Sequence, residues 1–422
     1  MKALLAATSV LAMVVGASLP VQAAAPSNKE VVATYVTIAH AKFQDTLTAA
    51  KALKVAVDAM IANPTPETLA KARDAWKAAR VPYMQTEVYR FGNPIVDDWE
   101  GKVNSWPLDE GLIDYVDTAK YGEESDENPY FRANVIANKS VKLGGKTINA
   151  SKIDKKLLGK TLHGIDEIEA NVATGYHAIE FLLWGQDLNG TGPGAGDRKV
   201  TDFDPKACTN GNCERRIQYL KTAVDLLIDD LAEMEKAWSA KGAAAAALTK
   251  GKPEKALVAM LTGMGSLSYG ELAGERMKLG LMLHDPEEEQ DCFSDNTHNS
   301  HYYDAVGIRS VFTGSYTRLD GSVISGPALK DILPATDAQE LGTALETSVA
   351  KMQVLVDRAN GGEAYDQMIA EGNVAGNAAV QAAIDSLLAQ TKVIERATKT
   401  LGLDKIAFEG SDSLDNPSAV GK

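Results

Sequence analysis

The chain of 422 residues has only three cysteines, too few for disulfides to stand in for a hydrophobic core. Aromatic residues make up 6%, and β-branched residues seldom cluster, which argues against a sheet-rich fold. Basic residues are the minority, 43 Lys plus Arg against 57 Asp plus Glu, for a formal charge of −14. That balance repels a phosphate backbone, and no local Lys/Arg stripe offsets it, so nucleic acid is excluded as a partner. Beyond the first nineteen residues no apolar run reaches 18, too short for a membrane span. A phosphate-binding glycine loop, a redox-cofactor box, a Ser/His/Asp arrangement and His-Glu-x-x-His are also missing.

What remains is 45% apolar and 24% charged, the balance of a folded globular chain long enough for two or three packed units. Lys2 precedes an uncharged apolar run from Ala3 to Leu19, and Val21-Gln22-Ala23 puts small residues at −3 and −1 of a signal-peptidase site. Residues 1–23 are therefore expected to be a signal peptide, with the mature chain starting near Ala24 and destined for the periplasm. Removing Lys2 with that segment changes the charge from −14 to −15. In an oxidising compartment Cys208 and Cys213, separated by Thr-Asn-Gly-Asn, are expected to form a local disulfide. A two-cysteine zinc site is the alternative, and it would need a second ligand pair. Cys292 has no evident partner.

Helical periodicity dominates. Apolar residues at spacings of three and four run from Lys29 to Ala62 and stop at Asn63-Pro64. Thr65 then caps a helix with Pro66 in its first turn, continuing past a kink at Pro82 to about Arg90. Further helices are expected over 154–184, 214–240, 253–283, 336–359 and 375–401. Two segments, 141–148 and 317–324, instead read as β-hairpins turning at Gly144-Gly145 and Asp320-Gly321. An offset of 176 takes Leu143 to Leu319, Gly145 to Gly321 and Ile148 to Ile324, which suggests an internal duplication. The expected fold is all-α: two related helical bundles over 24–188 and 214–410, each with a small hairpin insertion. A Gly-rich linker with the disulfide loop covers 189–213, and 411–422 is expected as a disordered tail.

His177 and Glu180 lie three apart in the apolar stretch Gly175 to Trp184, so one helix face carries both. A buried imidazole and carboxylate need partners; they can satisfy each other, or hold a metal with ligands from elsewhere. Glu87, in an aromatic surround, and Asp187, at the end of the His177 helix, are candidates to complete the shell, though Glu87 could instead pair with Arg90 and Asp187 could be a plain loop residue. The run Ser294 to Asp304, with Asp295, His298 and His301, is crowded with polar groups that could cap a helix or contact a ligand.

Gly175-x-His177-x-x-Glu180 with the following Phe-Leu-Leu-Trp-Gly-Gln-Asp resembles the signature of the imelysin family. Trp106-Pro107-Leu108-Asp109, Gly270 to Met277 and Cys292 to His298 are similar to its other blocks. Within the family, the iron-regulated protein A branch is more similar than the insulin-cleaving membrane protease branch. The resemblance implies two helical bundles, a site at their junction and a role in iron acquisition. It points to His177, Glu180, Glu87 and Asp187 as metal or ligand-binding residues, with Arg90, Glu271, Arg276, Asp295 and His298 in support. The ligand would be iron or a small iron complex, with zinc as the alternative metal, and an envelope iron-transport component is a candidate partner. The family also carries a metallopeptidase label, but Phe181 stands where an inverted zincin motif needs its second His, so no catalytic residue is assigned. A scaffold whose buried polar groups fix two bundles is the third reading.

The exported chain is expected to begin close to Ala24, with Cys208 and Cys213 inert to a thiol reagent until reduced. Intact mass before and after reduction checks both points; labelling of both cysteines in the unreduced native protein would contradict the oxidised pair.

Overall fold

Ser27 opens the first helix by a reciprocal cap: its hydroxyl accepts from the Glu30 amide while its own amide donates to the Glu30 carboxylate. The computed structural model describes residues 25–420 apart from 123, 124, 126, 127, 144, 404 and 405, so the expected signal peptide and Gly144 lie outside the described residues. The fold is mostly helical. Helix α1 is Asn28–Ala62, α2 Pro66–Met84, α3 Pro94–Asn104, α4 Gly175–Trp184 and α5 Cys213–Trp238. There follow α6 (Pro253–Ser266), running through a π-helical segment Leu267–Lys278 into α7 (Leu279–Leu283), then α8 (Thr297–Thr313), α9 (Ala335–Asn360), α10 (Tyr365–Ile369), α11 (Val374–Thr400) and α12 (Asp412–Asp415). No described helix is long and apolar enough to cross a membrane.

Helices α1, α2, α3, α4 and α5 pack on one another, and α6, the π-helical segment, α8, α9 and α11 form a second group. Helix α5, which the sequence reading grouped with the second bundle, lies along α1 and α4. Contacts of α2 with α8 and of α1 with α6 join the groups, and one hydrophobic core runs from Val31 to Ala397 without interruption.

The hairpins form where expected: β1 (Ser140–Leu143) with β2 (Lys146–Asn149), and β3 (Ser315–Thr317) with β4 (Val323–Ser325). Their registers do not follow one offset. Val141 pairs with Ile148, but the second ladder pairs Tyr316, not Thr317, with Ile324. Val141 joins the main core, whereas Tyr316 and Ile324 rest on Ile38 and Ala41 of α1. The hairpins thus give no structural support to an internal duplication.

Two expectations fail for identifiable reasons. The stretch 154–184 is not one helix: a π turn at Leu158–Leu162 and a 3₁₀ turn at Ile165–Glu167 precede extended chain before α4. Gly164, Asp166 and Gly175 take positive φ, conformations that end a right-handed helix. Nor do residues 411–420 form a disordered tail. Phe408 fills space beside Gly265, the Glu409 carbonyl approaches Gly270, and Ser411 covers Gly274, so the missing side chains of the π-helical segment leave a groove that the end of the chain occupies. Ser413 is buried there and donates to the Gly274 carbonyl at 3.0 Å. A Cβ on Gly270 would sit 2.5 Å from the Glu409 oxygen. Gly270→Ala is therefore expected to cost about 1–3 kcal/mol, read by urea unfolding with circular dichroism confirming unchanged helix content.

Candidate functional site

Helix α4 starts abruptly because Gly175 adopts φ +83° and has Val103 backbone where a side chain would be. All ten of its residues are buried, so the i, i+3 pair points into protein. His177 Nδ1 lies 3.0 Å from Glu180 Oε2. The other Glu180 oxygen accepts from the Ser294 amide at 3.0 Å and the Ser294 hydroxyl at 2.7 Å. Asp291, three residues before Ser294, brings Oδ1 to 3.9 Å from His177 Nδ1. His177, Glu180 and Asp291 each offer a ligand atom, all within 4.8 Å of one another, and theirs is the one such group of three among the described residues. His177 Nε2 is buried with no hydrogen-bond partner.

Asp291 is itself held from three sides. Arg80 of α2 donates to Oδ1 at 2.8 Å, while Asn296 (3.0 Å) and Ser300 of α8 donate to Oδ2. The Arg80 guanidinium also bonds Asn104 Oδ1 at 2.6 Å and lies over the rings of Tyr176, Trp76 and Tyr83. Three helices thus converge on one buried ion pair.

This arrangement divides the protons. Burial and the Arg80 charge push His177 down to about 3. Burial, then the Asp291 charge, pushes the Glu180 carboxyl well above its usual range. Burial alone would raise Asp291, but Arg80 and His177 overcome it and hold the carboxyl at about 2. At neutral pH the imidazole is uncharged and Asp291 is ionised opposite Arg80, while the Glu180 carboxyl is pushed toward its protonated form. A divalent cation here would meet one nitrogen and two oxygen donors, a set that suits iron or zinc.

The other expected site residues fall elsewhere. Glu87 binds Arg276, Oε2 to guanidinium 2.7 Å, and Arg276 also reaches Asp304 at 2.9 Å and Glu271 at 2.7 Å. Arg90 turns outward to Asp97 (2.8 Å) and Glu271 (3.4 Å). Glu87, Arg90, Glu271 and Arg276 therefore make an adjoining ion-pair cluster in place of a ligand shell. Asp187 accepts from the Asn189 amide at 2.8 Å and lines a cleft of about 790 Å³. Asp295 takes φ +51° with Oδ1 buried and unpartnered, and His298 contacts Asn299 at 3.1 Å. His301 is fully buried, neither ring nitrogen has a partner, and its ring meets Tyr365 edge-on at 5.0 Å. The disulfide joins Cys208 to Cys213, and Cys292 is free.

Sequence reasoning missed Asp291 and Arg80. The one available signal was Asp291's place at the head of the polar run that also holds Ser294, Asn296 and Ser300.

The folded Asp291 carboxyl titrates at about 2 against 3.8 unfolded, so its share of stability is present above pH 4 and lost as pH falls through 2. Arg80→Met strands this charge. The expected cost at pH 7 is about 3–5 kcal/mol, shrinking at pH 4 because the unpaired carboxyl can then take up a proton. Urea unfolding of wild type and variant at both pH values checks the sign.

A search of curated protein sequences returns no match. Among solved structures, one described as an iron-regulated protein A precursor from Parabacteroides distasonis ATCC 8503 superposes with a TM-score of 0.62 at 18% identity, covering 89% of this chain and 96% of that one. An imelysin-like protein from Psychrobacter arcticum 273-4 gives 0.57 at 15% identity, over 92% of this chain and 100% of the other. These identities speak to the fold alone. The sequence profile of the imelysin family matches residues 39–394, the greater part of the chain, and the protein belongs to the imelysin family.

Proposed function

We propose that the protein is an exported component of iron acquisition that binds a metal ion at the junction of its two helix groups, through His177, Glu180 and Asp291. The observation that carries this reading is the buried trio itself: three ligand atoms within 4.8 Å, with the imidazole's second nitrogen left unpartnered. A purely structural His–Glu pair would be expected to use both ring nitrogens, since an unmade bond in the interior costs about 1–3 kcal/mol. The iron link rests on the family and on the printed description of the Parabacteroides structure, and export rests on the N-terminal sequence.

Iron is the favoured metal, with zinc as the alternative. Bound metal would supply Lewis acidity, while Asp291 and Arg80 fix the geometry and Ser294 orients Glu180 by two hydrogen bonds to one oxygen. No observation favours a peptidase: Phe181 follows Glu180, where an inverted zincin motif needs its second His, and Glu87 and Asp304 are engaged by Arg276. Envelope transport proteins remain the expected class of partner.

Titration calorimetry with ferrous iron, zinc, ferric citrate and haem tests the reading. His177→Ala and Glu180→Ala are each expected to abolish metal binding. Gln353→Ala, at the position that the 176-residue offset assigns to His177, should stay within about threefold of wild type, under about 1 kcal/mol. If His177→Ala binds as wild type does yet loses several degrees of melting temperature, the pair is structural and the scaffold reading replaces this one.

A further inference from the structure

The cleft is acidic. Asp109, Glu110, Asp187, Asp285 and Glu287 line it, and Lys120, the basic lining residue, turns its ammonium to the Leu188 carbonyl. Cys292 and Phe293, the residues between Asp291 and Ser294, form part of its wall. A smaller pocket of about 10 Å³ shares Asp187, Glu287, Cys292 and Phe293 with the cleft and adds Glu289 and Asp366. That is the space of one water-sized particle. Four carboxylates border it, and no Lys, Arg or His is among its lining residues.

Glu289 is 1% and Asp366 2% exposed, and none of their four carboxylate oxygens has a hydrogen-bond partner. The Thr297 hydroxyl eases the charge on Glu289 without reaching hydrogen-bond geometry. Native interiors rarely leave such groups bare, because each buried carboxylate without a donor or counter-charge is costly. Asp366 comes from α10 and Glu289 from the segment before α8, so the pocket is built by chain segments remote in sequence.

We propose that this pocket is a second, outer cation site, in which Glu289 and Asp366 hold a hard, oxygen-preferring divalent cation and Asp187 and Glu287 stand at its mouth. Carboxylate oxygens alone select such ions over softer metals. Unlike the inner trio, these acids do not supply three ligand atoms within 4.8 Å of one another, so the ion keeps part of its water shell. The acidic cleft above it concentrates cations and repels anionic chelates, which makes an aqua ion the species that enters. The site is separate from His177, and its existence does not require the inner site to bind metal.

The probe is Mn²⁺, counted per mature chain from loss of the free-ion electron paramagnetic resonance signal, at physiological ionic strength so that surface acids are screened. In a His177→Ala background one Mn²⁺ per chain is expected to remain. Adding Glu289→Gln and Asp366→Asn should weaken it at least tenfold, without lowering the metal-free melting temperature, since two buried carboxyls are replaced by uncharged amides of the same shape. No Mn²⁺ bound to the His177→Ala chain, or affinity within twofold after the two amide substitutions, would overturn the proposal and leave the carboxyls holding protons instead. Should the triple variant fail to fold, Glu287→Gln at the exposed mouth is read in its place: several-fold weaker binding supports the site, and unchanged binding refutes it. Because both readouts are taken without His177, failure of the inner site is scored separately by zinc and iron calorimetry.

Discussion

The buried contact between Arg80 and Asp291 is the constraint on which the rest of the centre depends. Both side chains are almost wholly removed from water, and neither would be tolerable there alone. The pair ties α2 to the segment ahead of α8 across 211 positions of sequence. Its charges then act with burial on α4: burial and the guanidinium push the His177 imidazole down, and burial and the carboxylate push the Glu180 carboxyl up. One ion pair thus fixes both where the two helix groups meet and which protons sit between them.

Around that pair the polar groups fall into concentric tasks. Asn104, Asn296 and Ser300 hydrogen-bond it, and Arg276 pairs with Glu87, Glu271 and Asp304. Arg276 also adds to the field that depresses His177 and His301. Glu87 and Glu271, which look like spare ligands in sequence, are here partners of Arg276. The cleft side is different in kind, because acids predominate among its charged lining residues, with Lys120 as the basic one.

Local signals were readable and remote ones were not. Thr65 and Pro66 start α2 as their chemistry requires, and the four turn-forming residues after Cys208 close the disulfide loop. His177 and Glu180 share a face because the helix period puts them there. Asp291 was not singled out, since its role comes from the packing of α2, α4 and α8, and its place beside a polar run is the one local mark that sets it apart among 57 acids. Residues 168–174 looked helical because apolar residues recur through them, yet Gly164 and Gly175 overrule the pattern by backbone conformation. Residues 411–422 read as a disordered tail; the clue was across the chain, in Gly265 at the end of α6 and Gly270 and Gly274 of the π-helical segment. The 176-residue offset shows the opposite error, a sequence regularity that the strand registers do not keep.

That glycine groove also orders events in time. A chain made from its N-terminus presents Gly265, Gly270 and Gly274 long before Phe408 and Ser411 exist to cover them. Until then the segment that carries Arg276 lies open along one side, and the counter-charge for Glu87 and Asp304 has no lid. The packing of the second helix group is therefore complete only once Phe408, Glu409 and Ser411 lie over these three glycines.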